Sequence, residues 1–161
     1  TNALEATDVT PVHAGYAKRR RDLLEGGVKL YEMRLGADDE GHREKAGPFG
    51  SSGSSLHAKT FALDGQRIFI GSFNFDPRSA RLNTEMGFII ESPALAAAIG
   101  QAFETEIPAN AYELKLDENG RIYWLERVDG EQRRLDSEPG TNPLKSLGIR
   151  LLSWLPIEWL L

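Results

Sequence analysis

The sequence predicts an α/β fold, a mixed β-sheet flanked by helices, on three observations. Short apolar runs of strand character recur at 28–33, 56–63, 67–72 and 84–91. Helical spacing of apolar residues lies before and after them, and glycine or proline punctuates nearly every change of character. Strands interleaved with helices are the pattern of a layered α/β domain.

The elements follow in order. Thr10-Pro11 supplies an N-cap and first-turn residue for a helix that runs to Glu25, where Gly26-Gly27 stops it. Residues 28–33 read as a strand. Residues 36–55, rich in Gly, Ser and charge and without period, predict a loop at the mouth of the site described below. Two strands, 56–63 and 67–72, flank Asp64-Gly65, a hairpin-turn pair. Residues 73–83 read as irregular. Residues 84–91 predict a further strand with Met86, Phe88 and Ile90 on one face. Ser92-Pro93 then caps a second helix, in which Leu95, Ile99 and Phe103 recur at spacing four.

After Pro108 the character changes, which divides the chain into a body at 1–108 and an extension at 109–161. Residues 112–116 and 121–127 flank Asp117-Glu118-Asn119-Gly120, whose Asn-Gly pair predicts a tight hairpin, and 131–138 add a polar strand. From 142 onward the chain is apolar, with Trp154 and Trp159 among leucines and Pro156 between them. About fifteen residues broken by a proline fall short of the ~20 needed to cross ~30 Å of hydrocarbon. This tail suits a helix closing over the domain's own sheet, or contact with a membrane interface, and the two duties fit opposite faces.

Composition sets further bounds. A chain of 161 residues with 40% hydrophobic and 27% charged residues is an ordinary globular domain. Its net charge of −5 argues against a nucleic-acid partner, since such proteins carry a basic face. The absence of cysteine excludes disulfides and thiol chemistry. The run Lys18-Arg19-Arg20-Arg21 reads first as the solvated face of its helix and second as a lure for anionic headgroups. His13 and His42 read as packing or surface residues. Residues 51–55 lack the Gly-Lys-Ser/Thr of a phosphate-binding P-loop.

The chemistry concentrates between His57 and Asn74. His57 and Lys59, two apart on a strand, project from one face. Asp64 follows at the turn, and the returning strand delivers Ser72 and Asn74 at its end. A neutral imidazole is a competent nucleophile toward phosphorus. Lys59 is a compact charge for non-bridging phosphate oxygens. Ser72 and Asn74 can donate to the same oxygens. Asp64 could fix an imidazole tautomer or pair with the lysine. The set suits a phosphate ester, and it calls for no metal and no cofactor.

The spacing H-x-K-x4-D-x6-G-S-x-N resembles the HKD signature of the phospholipase D superfamily at every fixed position. The likeness covers about 1–107 and is strongest to the C-terminal half of C-type bacterial cardiolipin synthases. It includes Thr1-Asn2, Asp8, Val12-His13-Ala14-Gly15-Tyr16, Arg20, Leu23-Leu24, Gly27-Val28 and Tyr31-Glu32 before the motif. Asp76-Pro77-Arg78-Ser79 and Asn83-x-Glu85 carry it afterwards, and the tail at 151–161 is similar too. The resemblance implies a phospholipase D-like half-domain at 1–108 and an enzyme working through a covalent phospho-histidine on phospholipid phosphodiesters. It places Glu85 where the family has an acid that hydrogen-bonds a catalytic histidine, with Asn83 and Arg78 as weaker site candidates.

The resemblance also implies a second HKD motif, because the leaving alcohol needs an acid in reach. Either an upstream half of the same protein supplies it or a homodimer mate does. The Thr1-Asn2 start, matching the end of a core strand in the family, favours a fragment. Expected with this are a phospholipid substrate and peripheral contact with the cytoplasmic face of a bacterial inner membrane. Phospholipase D-type hydrolysis, a nuclease and a non-catalytic phosphate- or lipid-binding half-domain are the alternatives.

Overall fold

The computed structural model describes residues 1–6, 10–34, 59–74, 77–128 and 130–140, with backbone alone at 10–12 and 77–78. The expected loop at 36–55, His57 and the apolar tail from 142 lie outside the described residues. The described residues form an α/β structure of two compact units, one taking 1–34 and 107–140 and the other 59–106.

In the first unit, a 3₁₀ turn at Leu4–Ala6 precedes helix α1, Thr10–Glu25, with the bounds the sequence predicts. The double glycine ends α1 by a specific mechanism. Val28 N–H donates to Leu23 O at 2.9 Å and Gly27 N–H to Leu24 O at 3.0 Å, with Gly27 at φ +82°, the left-handed value that glycine adopts without a Cβ penalty. Strand β1, Leu30–Met33, follows.

A four-stranded antiparallel sheet is built in the order β1-β5-β6-β7, from β5 (Ala111–Leu116), β6 (Ile122–Val128) and β7 (Glu131–Leu135). The predicted hairpin after Pro108 is therefore β5–β6. It joins the start of the chain through the pairing of Glu32 with Tyr112. Asp117 closes its turn by accepting at Oδ1 from the N–H groups of Asn119 and Arg121, at 2.9 and 2.8 Å. A parallel bridge, Asn2 to Met33, ties the first residues to β1.

The core of this unit is Ala3, Tyr112, Leu114 and Trp124, with Leu24, Leu30, Ile122 and Leu135 packed against it. Beside it lies a buried polar network. Glu32 is fully buried and accepts from Arg20 Nε at 2.8 Å and from Trp124 Nε1 at 3.0 Å. Arg20 also donates to Glu138 Oε1 at 2.5 Å, and its guanidinium lies 5.1 and 5.5 Å from the rings of Tyr16 and Trp124. His13 Nε2 sits 2.8 Å from both Arg20 Nη2 and Glu138 Oε1, and one ring nitrogen can accept from the first or donate to the second. Burial alone would raise the Glu138 carboxyl. The hydrogen bonds from His13 and Arg20 and the Arg20 charge outweigh it and hold the group below its ordinary value. The basic run on α1 is thus divided: Arg19 and Arg21 are exposed, whereas Arg20 is buried.

The second unit holds a three-stranded antiparallel sheet, β2-β3-β4, from Thr60–Leu63, Arg67–Gly71 and Gly87–Glu91. Helix α2, Pro77–Arg81, occupies part of the stretch expected to be irregular. Helix α3, Pro93–Glu104, packs on β2 and β3. Ser92 caps α3 as predicted, its Oγ accepting from Leu95 N–H at 3.3 Å. The sequence reading missed a second short helix, α4, Glu106–Asn110. In the three-stranded sheet, Ile68 is the buried strand residue, while Phe88 and Ile89 on the edge strand β4 remain 65% and 66% exposed.

Candidate active site

The hairpin at the centre of the second unit turns where the sequence predicts. Asp64 and Gly65 both have positive φ, +53° and +63°, the requirement of a type I′ turn, and Gln66 N–H donates to Leu63 O at 3.0 Å. Phe61 and Phe69, paired across the strands, stack at 4.6 Å between ring centroids.

The other end of the sheet collects several of the candidate side chains. Gly71 N–H donates to Lys59 O at 3.2 Å, Ser72 N–H donates to Met86 O at 2.9 Å, and Gly71 pairs with Gly87. Lys59, the Ser72 end of β3 and the Glu85-Met86 approach to β4 therefore lie abreast. Gly71 allows this. A Cβ there would stand 2.5 Å from Met86 O, 2.6 Å from the Phe69 ring and 2.7 Å from Gly87 Cα. Gly71→Ala is accordingly expected to lose about 1–3 kcal/mol of stability in urea unfolding, because the near atoms include backbone. Gly100→Ala, in the open middle of α3 with nothing within 4 Å, serves as the control and should stabilise by up to about 1 kcal/mol.

Glu85 is the hub of this end. The Ser72 hydroxyl donates to Glu85 Oε2 at 2.5 Å while accepting from Met86 N–H at 3.1 Å, and Asn83 Nδ2 donates to Oε1 at 3.3 Å. The Ser72 hydroxyl first, then the Ser79 hydroxyl on α2, hold the Glu85 carboxyl below its ordinary value against desolvation, with Asn83 and the Lys59 charge adding. Glu85 is thus an ionised acceptor near neutral pH. A hydroxyl has one hydrogen, so the Ser72 proton is engaged by Glu85 in this arrangement.

The structure brings together Lys59, Ser72 and Glu85. Asn74 follows Ser72 by two residues and is exposed. Asp64 stands apart from them, at the hairpin tip. It is 80% exposed, its Oδ2 lies 3.3 Å from Arg67 Nη2, and it is five residues along the chain from Lys59, about 16 Å at strand rise. Among the described residues no group of three or more His, Asp or Glu side chains could hold a metal ion, and no helix is long and apolar enough to cross a membrane. Sequence reasoning passed over Ser79 as a site residue. The only signal for it was its place in the Asp76-Pro77-Arg78-Ser79 likeness.

Comparison with known proteins bears on this geometry. The family described as "Cardiolipin synthase, PLD-like domain" matches residues 4–107. The chain belongs to this family. It is 50% identical over all 161 residues to cardiolipin synthase C of Escherichia coli (strain K12), of which it covers 34%. It is 37% identical over 99 residues, 62% of this chain and 19% of the relative, to an uncharacterized protein of Helicobacter pylori (strain ATCC 700392 / 26695). It is 29% identical over 90 residues, 56% of this chain and 15% of the relative, to cardiolipin synthase A of Yersinia pestis bv. Antiqua (strain Angola). The chain thus spans about a third of the length of the first of these relatives and less of the others. No solved structure matches it.

Proposed function

We propose that this PLD-like domain is the C-terminal HKD half of a phosphatidyltransferase of the cardiolipin synthase type. The observation that carries the reading is the convergence of Lys59, Ser72 and an ionised Glu85 at the sheet end toward which the HKD spacing leads. The 50% identity over the whole chain to cardiolipin synthase C supports the lipid substrate class.

In the proposed reaction a histidine nitrogen attacks phosphorus of a phospholipid phosphodiester. A P–N bond forms as the P–O bond to the leaving alcohol breaks, and a second histidine gives that alcohol its proton. An acceptor alcohol, itself part of a glycerol-bearing phospholipid, then loses its proton to the second histidine, its oxygen attacks phosphorus, and the P–N bond breaks. His57 is one of the two histidines. The near-symmetry of paired HKD motifs lets it take either role. Glu85 accepts from an imidazole N–H and fixes its tautomer, Lys59 and Asn74 hold the non-bridging oxygens, and Ser72 supports the site through Glu85. Asp64, paired with Arg67 at the tip, serves the hairpin's closure.

The second histidine comes from another HKD motif, from an upstream half of a longer polypeptide or from a second copy. Among the described residues β4 is an apolar edge strand, which favours a covering partner, since such edges are ordinarily paired or protected. Peripheral attachment to the cytoplasmic face of a bacterial inner membrane fits a lipid substrate and the tryptophan-bearing tail.

Incubation with phosphatidylglycerol vesicles, alone and together with a protein carrying the other motif, tests the reading through product analysis. Cardiolipin formed only in the mixture supports it. Phosphatidic acid instead would mark a phospholipase that uses water as acceptor. Inactivity in both would leave the phosphate-binding half-domain.

A further inference from the structure

Strand β4 ends the three-stranded sheet, and every one of its residues is exposed. Natural sheets guard such an edge with lysine, proline or a bulge. Gly-Phe-Ile-Ile-Glu has neither residue, and its register with β3 is unbroken. That register fixes which backbone groups face outward. Ser72 N–H donates to Met86 O and Ser92 N–H to Gln66 O, at 2.9 and 2.8 Å, so Met86, Phe88 and Ile90 direct their backbone bonds to β3. By alternation the N–H and C=O groups of Gly87, Ile89 and Glu91 point away from the sheet. Among the described residues no strand pairs with them.

We propose that β4 is a self-complementary dimerisation edge, pairing antiparallel with β4 of a second copy about a twofold axis at Ile89. The two sheets then become one. Ile89 exchanges both hydrogen bonds with the partner's Ile89, and Gly87 does so with the partner's Glu91. On one face Phe88 stands beside the partner's Ile90, an aromatic–β-branched pair of the favourable kind. On the other, the two Ile89 side chains meet between the two Phe69 rings, since Phe69 is the β3 partner of Ile89. The one charge in the strand, Glu91, faces glycine and has Arg67 beside it on β3.

Other registers that use the same outward groups carry a conflict. An axis at Glu91 sets two carboxylates directly opposite, and an axis at Gly87 sets Ile89 against the Glu85 carboxylate. The strand is therefore complementary to itself in the Ile89 register. In this dimer Glu85 lies opposite the partner's Pro93, so the two Glu85 carboxylates stand roughly 27 Å apart along the strands, at ~3.4 Å per residue. The pairing does not bring two candidate sites together, and it is independent of the phosphatidyltransferase reading.

Sedimentation velocity of the chain from about 1 to 100 µM, a range suited to a small interface, should show a reversible monomer–dimer equilibrium. Ile89→Lys and, separately, Ile89→Glu set like charges opposite at the axis and should each weaken dimerisation at least about 10-fold. Mixing the two variants puts lysine against glutamate and should restore pairing. Val128→Lys, at an exposed apolar position of the four-stranded sheet, should leave the dimer unchanged. Amide exchange reads the same edge without a substitution. The N–H groups of Gly87, Ile89 and Glu91 should gain protection with concentration, while those of Phe88 and Ile90 stay protected throughout.

A chain that remains monomeric across that range overturns the proposal. So does a dimer that Ile89→Lys leaves intact, or a mixture that fails to restore pairing. Should neither variant fold, amide exchange decides, and outward amides unprotected at every concentration contradict the assignment. Protection that appears only on adding the protein with the other motif also overturns it, giving the edge to that partner.

Discussion

Arg20→Met is expected to lower the stability of the first unit by about 3–5 kcal/mol, more than any other single change considered. The substitution keeps much of the apolar stem but strips Glu32, which is fully buried, of its cation. An ion pair broken from one side leaves an uncompensated charge in a low-dielectric interior, and that is the costly case. Trp124 Nε1 remains to satisfy one carboxylate oxygen, which does not offset the lost charge. Glu138 would lose its Arg20 bond as well, leaving His13 beside it. The double variant Arg20→Met with Glu32→Gln should recover a large part of the loss, because no bare charge then stays buried. Urea unfolding followed by Trp124-containing fluorescence, run as a double-mutant cycle, reads this coupling. Additive losses in the two single variants would contradict it.

Lys59→Ala is expected to reduce kcat of the active two-motif pairing by about 10²–10³, the usual worth of one preorganised group facing charge that develops on oxygen. The fold should be little affected, since Lys59 is partly exposed and ties the hairpin through its backbone oxygen, which alanine retains. Lys59→Arg should restore only part of the rate, because a planar fork does not replace a compact ammonium at a single phosphate. Steady-state kinetics on phosphatidylglycerol vesicles measures both. A fall in affinity at unchanged kcat would place the lysine in ground-state binding alone.

Much of this molecule was legible in the sequence where the deciding interactions are local. Helix α1 ends where Gly26-Gly27 says it should, α3 starts at Ser92, and the hairpin turns at Asp64-Gly65, because each signal acts within a few residues. Asp64 was read together with Lys59, and the turn instead leaves it at the hairpin tip beside Arg67. Two five-residue helices, α2 and α4, escaped because a single turn shows no period. Long-range partners escaped too. Arg20, within a run of four basic residues, looked like a solvated face, and the acids that bury it lie 12 and 118 positions away. Helix α3 was read from its spacing, but the exposure of the whole of β4 was not, since alternation predicts only which residues share a face. The candidate site was legible as a motif because its spacing is covalent. The hub role of Glu85, bonded to Ser72 across thirteen positions, needed the sheet register to be seen.

The central claim is that this chain supplies one histidine of a phosphatidyl-transfer site built from two HKD motifs. The most direct measurement compares cardiolipin formation from phosphatidylglycerol by the unaltered chain and by His57→Ala, each mixed with the same protein carrying the other motif. The account predicts that His57→Ala lowers the rate by ~10⁴ or more, the scale of losing a nucleophile or its acid partner. Cardiolipin formation that survives His57→Ala undiminished would contradict it.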